Sequence, residues 1–134
     1  MSVEEHIDMA AEHERYAAAF LPGDSRHLTW LFRAGLEFMA AGDALAAEFH
    51  PDTPNAHDVL DRAYWLYREA VARFKDAYSD PDIIDRVAAT ADRLAAAAAQ
   101  IKERDLRAHE RATMQAEHAA RLERAARVGA PPSA

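Results

Sequence analysis

The chain has 134 residues, enough for one domain with a real core and too few for two ordinary ones. It contains no cysteine, which removes disulfides, thiolate metal sites and cysteine nucleophiles together. The net charge of -7 is uneven: residues 1–101 carry 18 acidic and 9 basic side chains, residues 102–134 carry 5 and 7, and such a body is a poor partner for nucleic acid, which needs clustered Lys and Arg.

Ser2 followed by Glu5 is a capping-box signature, and Val3, Ile7, Ala10, Ala17 and Leu21 then recur at helical spacing. These residues predict a first helix of about 17 residues, ended by Leu21-Pro22-Gly23. The acidic side chains Glu4, Glu5, Asp8, Glu12 and Glu14 break any apolar core that a signal peptide would need. No segment approaches the roughly 20 apolar residues that span a bilayer, so the expectation is a cytoplasmic protein with no membrane partner. His6, Met9 and His13 form a second stripe beside Tyr16 and Phe20. The stripe lacks a further carboxylate or imidazole at matching spacing, so it reads as packing, and no metal or other cofactor is expected.

Asp24 or Ser25 caps a second helix, whose expected inner face is Leu28, Leu31, Phe32, Gly35, Leu36, Met39, Gly42 and Phe49. A glycine inside a helix costs about 1 kcal/mol against alanine. Gly35 and Gly42 therefore call for either the close approach of a neighbouring helix or a turn at Ala41-Gly42-Asp43, and the expectation is a turn or kink there. The break at His50-Pro51-Asp52-Thr53-Pro54 predicts Thr53 as the next N-cap with Pro54 first in the helix. A third helix follows with an inner face of Val59, Leu60, Ala63, Leu66, Tyr67, Ala70, Val71, Phe74 and Ala77. Arg62, Tyr64, Trp65 and Arg68 fall beside that stripe and form a candidate partner-binding patch, because aromatics and Arg are enriched at interface centres.

Leu31, Ala34-Gly35, Phe38, Gly42-Asp43 and Ala47, then Ala70, Phe74, Ala77 and Asp80-Pro81, occur in an order that resembles the two helices of a tetratricopeptide repeat. The 32 residues from Phe38 to Ala70 exceed the link of that family, and Leu31 stands where the family has Trp. The arrangement is also similar to the three-helix microtubule-interacting and transport domain. Either resemblance implies a peptide- or helix-binding adaptor without catalysis.

Residues 81–128 hold no glycine, and no proline after Pro81, and predict one long helix capped by Ser79 or Asp80. Written as heptads, one seam position carries Ile84, Ala91, Ala98, Asp105, Ala112, Ala119 and Ala126. The other carries Val87, Leu94, Ile101, Ala108, Gln115 and Leu122. Through Gln100 the neighbouring Ile83, Ala88, Ala95 and Ala99 predict a broad buried face; beyond Ile101 the flanks are charged and only the seam remains.

The expected architecture is all-α: a three- or four-helix bundle over residues 1–103 and a long C-terminal helix projecting from it over 104–128, before a disordered tail over 129–134. The seam residues Ala108, Ala112, Gln115, Ala119 and Leu122 are the second candidate partner-binding site. No serine elbow, glycine-rich phosphate loop or Glu-x-x-His pair is present, and His57 with Asp61 reads as a surface pair, so no catalytic residue is expected. The sequence therefore predicts a non-enzymatic adaptor or assembly protein that meets a protein partner or its own copy through 104–128. Two other functions fit the composition: an acidic decoy that inhibits a nucleic-acid-binding protein, and a ligand- or metal-binding helical bundle.

Overall fold

A computed structural model describes residues 1–129 as four helices. They are α1 (Val3–Ala18), α2 (Ser25–Ala46), α3 (Ala56–Asp76) and α4 (Pro81–Arg127). The expected tail at residues 130–134 lies outside the described residues. Gly129 is described and has a φ of 71°.

The caps follow the local sequence at three of the four starts. The Ser2 hydroxyl accepts from the Glu5 amide at 3.1 Å, the Asp24 carboxylate from the Arg26 amide at 2.8 Å, and the Asp80 carboxylate from the Asp82 amide at 2.9 Å. The third start corrects the sequence reading. Thr53 does not cap α3, because its hydroxyl donates to the His50 carbonyl at 2.7 Å and closes a turn instead. The helix begins at Ala56, after Asn55, which sits in the left-handed region at φ 57°.

Residues 1–99 form one compact unit and residues from Gln100 onward a second. In the first unit α2 is central. It runs antiparallel to α1, as the pairs His6 with Glu37 and Tyr16 with Trp30 show, and antiparallel to α3, where Gly35 meets Phe74 and Gly42 meets Tyr67. Helices α1 and α3 run in the same direction and are joined by ion pairs of Glu4 with Arg62 and Glu14 with Arg73. Val87 and Ala91 of α4 enter the same core as Val3, Ala10, Phe38, Leu66, Val71 and Phe74. The largest fully buried side chains are Phe74 and Val71.

Small residues set the packing between helices. The buried positions of α2 are Ala34, Gly35, Phe38, Ala41, Gly42 and Leu45. The inner face is thus shifted from the expected one: Leu36 is exposed and Leu28, Leu31, Phe32, Met39 and Phe49 are only half-buried. Alanine and glycine at the contact let the rings of Phe74 and Tyr67 reach the α2 backbone. No turn breaks α2 at Gly42, and the helix continues to Ala46. A Cβ at Gly42 would lie 2.9 Å from the Tyr67 ring. The Tyr67 hydroxyl donates to Asp43 one position on, and burial together with that carboxylate raises the Tyr67 pKa above the ordinary phenol value.

In the first unit, α4 is fully buried at the seam positions Val87, Ala91 and Ala98. Of the broader face expected from the sequence, Ala88 and Ala95 are half-buried, with Ala88 packed against the core, while Ile83 and Ala99 are exposed. Leu21, expected to finish the α1 stripe, is exposed in the link after α1.

Candidate interaction surfaces

The second unit is the distal part of α4. Ile101 is buried and Asp105 is half-buried, with its carboxylate 3.1 Å from the Arg104 guanidinium. Every other residue from 102 to 129 is exposed, including all five seam residues Ala108, Ala112, Gln115, Ala119 and Leu122. Leu122 is 60% exposed, and Leu106 and Met114 are also open to solvent. Arg107 with Glu103 and Arg127 with Glu123 are paired one turn apart along the helix. Each such pair supports the helix by a few tenths of a kcal/mol.

The α3 patch is split by burial. Trp65 is 63% exposed, while Tyr64 and Arg68 are half-buried, and the Tyr64 and Trp65 rings meet edge-on at 5.5 Å. Arg62 is exposed and held by Glu4 of α1 at 2.6 Å. The tryptophan is therefore the open element of this patch, with one cation fixed nearby by an ion pair.

The His6, Met9 and His13 face of α1 turns toward α2. His6 Nδ1 lies 2.7 Å from a Glu37 carboxylate oxygen, and the His13 ring lies 5.3 Å from that of Trp30. Each imidazole is thus engaged by a different α2 residue. At the first turn of α3, His57 Nε2 is 3.2 Å from Asp58, and with Asp61 the three side chains bring ligand-type atoms within 4.8 Å of one another. Asp58 thus joins the His57 and Asp61 pair expected from the sequence. The positive end of the α3 dipole favours the Asp58 carboxylate in the first turn.

A third surface was not singled out from the sequence. Trp30, on the second turn of α2, is flanked by His13 and by Tyr16 at 4.8 Å, and Tyr16, Ala19, Phe20 and Trp30 line one recess. Arg33 stacks over Trp30 at 4.7 Å and Arg26 over Phe20 at 4.3 Å. Asp24 holds Arg26 through two guanidinium hydrogen bonds of 3.1 and 2.7 Å. Hydrogen bonds from the Arg26 side chain, then from its backbone, bring the Asp24 carboxyl down to about 2. The Tyr16 hydroxyl donates to Glu12 at 2.6 Å, and this bond to a carboxylate raises the Tyr16 pKa. A signal existed in the sequence: an aromatic pair four residues apart at the end of α1, then Arg-x-x-x-Trp-x-x-Arg opening α2.

No helix among the described residues is long and apolar enough to cross a membrane. No protein family, curated protein or solved structure matches this chain.

Proposed function

We propose that this chain is a non-enzymatic assembly or adaptor protein that multimerises or docks through the distal half of α4, residues 104–128. One observation carries the reading. A heptad seam continues past the last buried position, Ile101, and from Ala108 onward its residues are all exposed. At 1.5 Å per residue that stretch is about 40 Å long. Alanine at most seam positions suits a helix that approaches its partner closely, in the helix-in-groove manner or in a helix pair. An alanine seam removes little apolar area, so association is expected to be weak, in the micromolar range. The exposed Trp65 of α3 supplies a second contact of the kind found at interface centres.

Light scattering on the full chain and on a chain stopped after Gln100 tests this. The full chain is expected to exceed its monomer mass of 14.9 kDa as concentration rises, and the shortened one to stay at its own monomer mass. Ala112→Glu with Ala119→Glu should abolish the increase without altering helix content. Monomers throughout, with no difference in stability between the two lengths, would remove self-association and leave docking on a different protein.

A further inference from the structure

The recess between α1 and α2 has the composition of a binding centre within an otherwise acidic body. Its floor and walls are Tyr16, Ala19, Phe20 and Trp30, with Tyr16 44% exposed and the Phe20 and Trp30 rings half-buried. At its rim Arg33 and Arg26 are laid on the rings, the charge of Arg26 being offset by Asp24. Those guanidiniums are already partly ordered by stacking and, for Arg26, by Asp24, so less side-chain freedom is lost when a partner binds. Both nearby carboxylates are engaged: Asp24 accepts from Arg26 and Glu12 from Tyr16. Arg33 stacks on Trp30 and is exposed.

From this geometry we infer that the α1–α2 recess docks a protein segment presenting an aliphatic or aromatic side chain flanked by carboxylates. The apolar side chain enters between Tyr16, Phe20 and Trp30, and the carboxylates meet Arg26 and Arg33. Charge decides the class of partner. The charged groups at the recess, Arg15, Arg26 and Arg33 against Glu12 and Asp24, leave one net positive charge, with Arg33 in no ion pair among the described residues. The body around it is strongly negative, so an acidic segment gains more at the recess than elsewhere on this unit. This surface is separate from the α4 seam and stands or falls independently of it.

The probe is a short fluorescently labelled peptide with a central Phe-Leu pair flanked on both sides by glutamates. Comparison ligands are the same peptide with lysines in place of the glutamates, and an oligothymidylate. Trp65→Phe leaves Trp30 as the one tryptophan, so its emission reports on the recess directly. Saturable binding of the glutamate peptide is expected with a change in Trp30 emission, about tenfold tighter than the lysine peptide and weaker at higher salt. Arg33→Gln should weaken it about tenfold, while Arg93→Gln, which removes the same charge from exposed α4, should not. The inference is overturned if the glutamate peptide fails to saturate or the lysine peptide binds equally well. It is likewise overturned if the oligothymidylate binds more tightly, or if Arg33→Gln has no more effect than Arg93→Gln.

Discussion

Tyr78 is the residue most at odds with its own side chain. It follows the end of α3 with φ 53°, a conformation that L-residues other than glycine and asparagine rarely adopt. The backbone needs that conformation. The Ser79 amide donates to the Phe74 carbonyl at 2.9 Å and the Tyr78 amide to the Lys75 carbonyl at 3.0 Å, the paired bonds of a Schellman cap. The ring contributes little packing in return, since the residue is 84% exposed. Tyr78→Gly should therefore relieve strain of roughly 1 kcal/mol, less part of the extra freedom glycine gives the unfolded chain. Urea unfolding should show a midpoint shifted upward by about 0.5 kcal/mol equivalent. A lower midpoint would mean that the ring makes a stabilising contact after all.

Helix α2 shows how glycine can be required inside a helix. A Cβ at Gly35 would lie 2.6 Å from Cε1 and 2.8 Å from Cδ1 of Phe74, a side chain with no solvent exposure. Alanine improves helix propensity by about 1 kcal/mol, but forcing extra volume into a filled core costs about 1–3 kcal/mol. The clash should win: Gly35→Ala is expected to lower stability measured in urea. Gly23→Ala, where nothing lies within 4 Å of the added carbon, should stay within about 0.5 kcal/mol of the parent. Legibility follows the same division. The start of α2 could be read from Asp24, and the α3 stripe from Leu60 to Phe74, because their signals lie within the element itself. At Gly42 the sequence allows both a turn and the close approach of a neighbouring helix, and the choice between them cannot be read locally, since the deciding Tyr67 ring belongs to another helix. Ala34 and Ala41 were passed over because a small side chain carries little hydrophobic signal, although it sets how closely two helices approach. Trp30 was missed for a related reason: its neighbours Tyr16 and Arg33 become a surface only when α1 folds back on α2.

At the scale of the whole molecule, the chain divides into a unit held by tertiary packing and one held by its own helix. Residues 1–99 enclose a core from all four helices, so amides such as those of Leu66 to Phe74 can exchange only when much of that core opens. The amides beyond Asp105 belong to exposed residues whose helix is supported by propensity, by ion pairs along it and by continuity with α4. Such a helix frays from its free end at small cost. In dilute solution, hydrogen exchange in residues 106–127 should be at least about a hundredfold faster than in the middle of α3. Concentration then separates two origins of any protection there. If the seam pairs with another copy, protection of Ala108, Ala112, Ala119 and Leu122 should rise as the protein is concentrated, while that of α3 stays constant. A solvated helix would give the same rates at every concentration. Slow exchange at high dilution would show that the segment is held within its own chain, and the proposed docking site would then have to be sought elsewhere.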